Sequence, residues 1–484
     1  MFDPEPGSLR RHEVPAWFHD AKLGIFVHWT LASVPAWAPD EGALPELTRD
    51  HFHESVALSP YAEWYSMALH IPGSPTARHH AETYGDAPYE AFREPFEAML
   101  EGWDPKPWAE LFAAAGAKYV VLVTKHHDGY CLWPTRHENS RKPGWFSRRD
   151  VVGDLARAVR ARGMRFGVYY SGGLDWAWDP RLIRNLAEMI TAIPLGEGYA
   201  RYVDDHYREL IERYEPSILW NDIAYPPGRR LWKLLADYYA AVPEGAVNDR
   251  FLSANPVFNR LVRLRPLAAL VNAAARRAML RPGFTFAPPR PPHCDFRTPE
   301  YAAYSNVRLK KWEATRGIGH SFGHNTNEPE SNYLDPDQLV RSFVDGVAKN
   351  GNLLLNVGPT AQGVIPEIQA SRLRALGAFL ERAGKAIYKT RPWHVAEGAT
   401  REGPPLRFTA RRDRVFALVM GHPTGDTLTL RDVPGRSAEL LGHGPLLTRR
   451  DGADLVCAWP ADAPDAPVHA LALERGSWAP AERR

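Results

Sequence analysis

Cysteine is scarce in this chain of 484 residues: only Cys131, Cys294 and Cys457, far apart and without metal-ligand spacing. An odd, scattered set argues against a disulfide framework and fits a reducing compartment. The opening Met-Phe-Asp-Pro-Glu-Pro-Gly shows no basic stretch leading into an apolar one, so no signal peptide is read and a cytoplasmic location is expected. No uncharged apolar run is long enough to span a bilayer. Net charge is only +2, so there is no bulk pull toward nucleic acid or an anionic membrane, and neither is expected as a partner. Acidic residues are missing altogether from 251–292, a stretch rich in Arg, Ala, Leu and Pro.

The length exceeds one ordinary domain and suits a large barrel with a smaller domain after it. Apolar and charged shares of 44% and 24% are those of a globular protein. Aromatic residues are plentiful (16 Trp, 19 Tyr, 19 Phe); they suit the apolar faces of sugars and ordinary cores alike.

Hydrophobic runs place the elements. Leu23–Trp29, Lys118–Thr124, Phe166–Tyr170, Ser217–Asp222, Ala246–Arg250, Trp312–Ile318 and Asn352–Val357 read as strands. Between them Trp108–Ala115, Asp154–Arg162, Arg201–Tyr214, Arg229–Ala241 and Asp335–Lys349 read as helices, with Pro366–Gly384 following. Such alternation means parallel βα units. About eight parallel strands fit between residues 23 and 358, which predicts an α/β fold, a distorted (β/α)8 barrel. A long, Pro-marked stretch from Ala32 to about Phe92 reads as irregular and functional. Leu261–Leu280 reads as a basic helix, an exposed insertion or a lid, with a membrane-surface role as the lesser option. After Pro392 short strands with Gly, Pro and Asp turns predict an antiparallel β-sandwich. The domains are thus 1–391, a barrel with an insertion at about 251–292, and 392–484.

Side chains just past the strand ends of a parallel barrel share one mouth. Here these are His28, His126, His127, Tyr169, Trp220, Asp222 and Arg250, a set suited to a polyol: imidazoles for hydroxyls, aromatics for C–H faces, Arg for oxygen. In an extended strand His126 and His127 would point apart, so both reach one site only through a bulge or turn. A metal site on His126, His127 and Asp128 is the competing chemistry, weakened because adjacent residues rarely chelate one ion. Asp222, at the end of a buried strand, is the candidate nucleophile of a retaining sugar hydrolase, which also needs a second carboxyl group as acid. The residues leave Glu63, Glu300, Glu313 and Asp295 open for that part.

Several motifs together resemble the α-L-fucosidases of glycoside hydrolase family 29. They are Gly24–Trp29, Glu63-Trp64-Tyr65, Lys125-His126-His127-Asp128-Gly129-Tyr130, Trp220-Asn221-Asp222, Asp295–Tyr301, Lys311–Asn325 and Asn350–Pro359, in order over most of the chain. The resemblance implies a distorted (β/α)8 barrel followed by a β-sandwich and a retaining, exo-acting, cofactor-free and metal-free hydrolase of terminal α-L-fucosyl linkages. It implies Asp222 as nucleophile and, through Asp295-Phe296-Arg297-Thr298-Pro299-Glu300-Tyr301, Glu300 as acid/base, with Glu313 as the alternative. Its sugar-contacting residues map to His28, Glu63, Trp64, His126, His127, Tyr169, Trp220, Arg250 and Phe322. The chain departs from the family pattern in its longer 251–292 segment and in Thr30, where a glycine is expected. The partner implied is a fucosylated oligosaccharide or glycoconjugate. The other classes are a carbohydrate-binding protein without turnover and a metal-dependent barrel hydrolase.

Overall fold

A computed structural model describes residues 2–228, 230–281 and 289–474. The sequence readings that touch 229, 282–288 and 475–484 lie, for those residues, outside the described ones.

Seven strands form one parallel sheet: β1 (Leu23–Val27), β2 (Tyr119–Lys125), β3 (Arg165–Ser171), β4 (Ile218–Asp222), β5 (Ala246–Val247), β6 (Trp312–Gly317) and β7 (Gly351–Val357). Their order is β5-β4-β3-β2-β1-β7-β6. Helices Lys106–Ala114, Val151–Ala161, Glu197–Tyr214, Arg230–Ala241, Pro336–Ala348 and Glu367–Ala383 cover the outside. The strands are buried on both faces, so they read as apolar runs. Alternate residues divide between two cores: Phe26, Tyr119, Val121, Tyr169, Ile218 and Trp220 fill the barrel interior. Ile25, Val27, Val120, Leu122, Val168 and Leu219 pack outward against the helices.

Among the described residues the sheet has seven strands rather than about eight, and the eighth position is irregular. The stretch 295–301 lies between β5 and β6, joined to β5 by one backbone bond and to 311–315 by four, which form two isolated bridges rather than a ladder. The Asp295 N–H donates to Val247 O at 3.0 Å, the Glu313 N–H to Arg297 O at 2.8 Å, and the Tyr301 N–H to Thr315 O at 2.9 Å. Pro299 has no N–H to give, and Asp295 spends its side chain on the Val247 N–H at 2.8 Å, so no continuous ladder forms. The same effect shortens the expected Ala246–Arg250 strand to two residues. Asn248 takes over the pairing with its amide: Oδ1 accepts from the Asn221 N–H at 3.1 Å and Nδ2 donates to Asn221 O at 2.9 Å.

The stretch 32–92 is less irregular than expected. It holds short helices at Leu44–Asp50, Tyr65–Leu69 and Pro75–Tyr84, the last started by Ser74, whose hydroxyl accepts from the Ala77 N–H. The basic helix is two: Pro256–Val262 and Arg265–Met279. Pro266 has no N–H to give the carbonyl one turn back and its ring would meet that carbonyl, so the run breaks at Leu264, which is extended. Asn259 Nδ2 donates to Ile190 O at 2.6 Å, and Asn272 Oδ1 accepts from the Ala187 N–H at 3.0 Å, so both helices dock on the barrel's helix Leu186–Ala192.

From Arg391 the strands turn antiparallel, in one sheet of six and one of three. Leu406, Phe408, Val415, Ala417 and Leu471 from the first meet Leu428, Leu430, Leu455 and Cys457 from the second, which is a sandwich core. The fold is a distorted barrel followed by a β-sandwich, as the sequence predicts. All three cysteines are buried and unpaired.

Candidate active site

The mouth at the strand C-termini is a cavity of about 190 Å³. All eleven residues predicted for the site line it: His28, Glu63, Trp64, His126, His127, Tyr169, Trp220, Asp222, Arg250, Glu300 and Phe322.

Asp222 ends β4 with its side chain nearly buried. Its Oδ2 accepts from the Tyr169 hydroxyl at 2.7 Å. Its Oδ1 accepts from Arg250 Nη1 at 2.7 Å and from the Ile223 N–H at 2.8 Å. The last bond needs Ile223 at φ +66°, a left-handed conformation that a β-branched residue rarely adopts. Strain of this kind persists where the surroundings enforce it and clusters at working sites. Arg250 is placed by Asn221, whose Nδ2 donates to Arg250 O at 2.7 Å. Its Nη2 donates to Glu300 Oε2 at 2.9 Å, and Glu300 Oε1 accepts from the Tyr61 hydroxyl at 3.0 Å. One guanidinium therefore binds both carboxylates, and it lies 4.6 Å over the Trp220 ring.

His28 and His127 are held as neutral acceptors. Asn356 donates through Nδ2 to Phe322 O, so its Oδ1 accepts from His28 Nδ1 at 2.6 Å. Ser171 gives its proton to Leu174 O, so His127 Nδ1 donates to Ser171 Oγ at 2.6 Å. Both rings thus keep Nε2 as a bare acceptor. Burial pushes the pKa of His28 down to about 4, and those of His126 and His127 well below the ordinary value. His126 and His127 face one cavity because β2 ends at Lys125 and the chain turns directly after it, with the Gly129 N–H donating to His126 O at 3.1 Å, the turn their adjacency required. The His127 Nε2–Asp222 distance of 3.8 Å is accordingly no ion pair.

Glu63, in the turn Ala62–Trp64, is fully buried, and burial raises its pKa to about 8 although the Gly323 N–H donates to it at 2.8 Å. The 322–324 backbone that supplies this donor lies flat on Gly358, where a Cβ would come within 2.7 Å of it. That is the physical content of the Asn356-Val357-Gly358 run.

The other carboxylates proposed for the second part lie elsewhere. Glu313 is within the barrel, accepting from the Tyr119 hydroxyl at 2.6 Å and Trp220 Nε1 at 3.2 Å, and does not line the cavity. Asp295 binds the Tyr239 hydroxyl, His12 and the β5 backbone. Asp128 turns from the histidine pair to the Tyr89 hydroxyl at 2.9 Å and the Tyr130 N–H. Among the described residues no three His, Cys, Asp or Glu are grouped to hold a metal ion.

The model of the family described as alpha-L-fucosidase matches residues 1–385. The chain belongs to that family. It is a glycoside hydrolase acting on fucosyl linkages. Alpha-L-fucosidase of Branchiostoma floridae is 31% identical over 460 residues, spanning 91% of this chain and 87% of that protein. Tissue alpha-L-fucosidase of Bos taurus is 29% identical over 458 residues, with 89% and 80% covered. The crystal structure of Thermotoga maritima alpha-fucosidase in complex with a mechanism-based inhibitor superposes with a TM-score of 0.82 at 39% identity, over 98% of this chain and 100% of that one.

Tyr61, Asn221, Asn248 and Asn356 act on this family member's site without having been read as candidates. Tyr61 lies in a stretch with no periodic pattern. Asn221 sits inside the Trp-Asn-Asp motif between an aromatic and a carboxylate, and Asn356 carries its signal in the same motif as Gly358.

Proposed function

We propose that the protein is a retaining, exo-acting α-L-fucosidase working through a covalent fucosyl-Asp222 intermediate, with Glu300 as acid and then base. The observation that carries this is the Arg250 bridge: two carboxyl groups on sibling nitrogens of one guanidinium are close neighbours. Retention needs a separation of roughly 5–5.5 Å, against roughly 6.5–9.5 Å for inversion.

Three donors converge on Asp222 and fix the orientation of its carboxyl group. It attacks C1 of the fucosyl unit. The C1–O bond to the leaving group breaks as Glu300 delivers a proton to the departing oxygen. Water then adds to C1, Glu300 takes its proton, and the ester bond to Asp222 breaks. The Nε2 acceptors of His28 and His127 receive sugar hydroxyl protons. Glu63, protonated at neutral pH because burial lifts its pKa to about 8, donates instead. Trp64, Trp220 and Phe322 cover the apolar ring face and the C6 methyl. The substrate is a fucosylated oligosaccharide or glycoconjugate.

The test is Asp222→Gly. Hydrolysis of 4-nitrophenyl α-L-fucoside should fall by at least about 10³-fold, and azide should restore turnover with an inverted fucosyl azide as product. Undiminished hydrolysis by this variant would remove Asp222 from the role.

A further inference from the structure

We propose that the leaving-group side of the cavity is an apolar subsite, selecting fucosides whose aglycone is an uncharged alkyl or aryl group over those whose next unit is a hydroxylated sugar. The inference rests on the fucosidase reading above and goes beyond it in naming the aglycone.

The lining divides in two. The inner part carries the carboxylates, Arg250 and the histidines. The outer part is Leu44, Phe52, Val56, Leu186, Met189 and Met279, without a charged group among them. Three separate elements supply these side chains: the helix Leu44–Asp50 with the loop after it, the helix Leu186–Ala192, and the helix Arg265–Met279. The third comes from the acid-free stretch of the sequence and is fixed in place by Asn272, which bonds to Asn185 and the Ala187 N–H. Leu44, Val56, Leu186, Met189 and Met279 are each only half-buried, so apolar surface faces the open part of the cavity.

Several of the polar groups beside them are already engaged. Thr48 Oγ1 donates to Leu44 O at 2.7 Å and Ser55 Oγ to Phe52 O at 3.1 Å. Asn185 Oδ1 accepts from the Glu188 N–H and from Asn272 Nδ2, both at 3.1 Å. A sugar ring placed here would lose water from hydroxyls that find few partners, and an unpaired buried hydroxyl is disfavoured. A hydrocarbon group loses nothing polar, and each methylene fully buried strengthens binding about fourfold.

The experiment is competition against 4-nitrophenyl α-L-fucoside by methyl, butyl and hexyl α-L-fucosides, whose leaving-group acidity hardly changes along the series. The inhibition constant should fall at least about tenfold from methyl to hexyl. The galactosyl-linked fucoside should bind no better than the methyl compound. In Met279→Gln and in Val56→Thr, both close in size to the original, the methyl-to-hexyl ratio should shrink to less than about threefold. A flat alkyl series with normal aryl-fucoside turnover would overturn the subsite alone. So would an unaltered ratio in both variants, or preferential binding of the galactosyl compound. Absence of aryl-fucoside hydrolysis would overturn the activity itself and the subsite with it.

Discussion

Arg250 donates through Nη1 to Asp222 Oδ1 at 2.7 Å, across 28 residues of sequence. Its other terminal nitrogen reaches Glu300, so its planar fork sets both acids at once. A lysine would keep the charge but has a single nitrogen and no fork. Arg250→Lys is expected to lower kcat/KM on 4-nitrophenyl α-L-fucoside by about 100-fold or more, with the far-ultraviolet circular dichroism unchanged. A loss below about threefold would mean that the bridge positions nothing the reaction uses.

Glu300 and Glu313 should separate cleanly by leaving group. Glu300→Ala removes the proton donor, so alkyl fucosides, which need protonation, should lose far more rate than 4-nitrophenyl α-L-fucoside, which needs little. Glu313 does not itself line the cavity and accepts from Tyr119 and Trp220 in the barrel interior. Glu313→Gln should therefore lower the thermal midpoint while treating both substrate types alike. Steady-state rates on the two substrate classes decide it; a leaving-group-dependent loss in the Glu313 variant with none in the Glu300 variant would exchange their parts.

The barrel was legible because its strands are buried on both faces, and that leaves a run of apolar residues in the chain. The strand ends were legible for the opposite reason, a polar residue such as His28 or Asp222 directly after such a run. Where side chains replace backbone pairing, the signal fails. Asn248 mimics a strand with its amide, so a five-residue run yields a two-residue strand. Asp295 and Pro299 interrupt the pairing of the stretch that carries Glu300, so the eighth position holds isolated bridges and leaves no apolar run in the sequence to mark it. The docking of the helices Pro256–Val262 and Arg265–Met279 was illegible because it depends on one asparagine from each, Asn259 and Asn272, which on a helix surface look like any other polar residue.

Tyr61 follows from the same blind spot and makes a sharp test. Its hydroxyl is the one donor to Glu300 Oε1 found among the described residues. Tyr61→Phe keeps the ring contact with Phe322 and deletes only that bond. Turnover of alkyl fucosides should fall by about tenfold, with a smaller loss on the 4-nitrophenyl compound, because the bond orients the proton donor. Equal losses would assign Tyr61 to packing alone.

Acid and alkali should weaken the protein through different groups. Burial holds His28 and His293 at a pKa of about 4 and His206 at about 3, below the unfolded value of roughly 6.5. Their contribution is present above pH 6.5 and is lost as pH falls toward 4, because the unfolded chain binds the protons that the folded one refuses. Glu63 has the opposite sign. Its folded pKa of about 8 lies above the unfolded one, so its contribution is present at low pH and is lost as pH rises through 8. Lys22, lowered by burial to about 7, gains stability as pH rises above that, so the wild-type curve alone would mix the two. Comparison with Glu63→Gln isolates Glu63, since the amide keeps an acceptor for the Gly323 N–H but cannot ionise. Between pH 6.5 and 8.5 the thermal midpoint of the variant should gain on that of the wild type by about 2 °C. Parallel melting curves across that interval would mean that Glu63 is already ionised at neutral pH and donates no proton to a substrate hydroxyl.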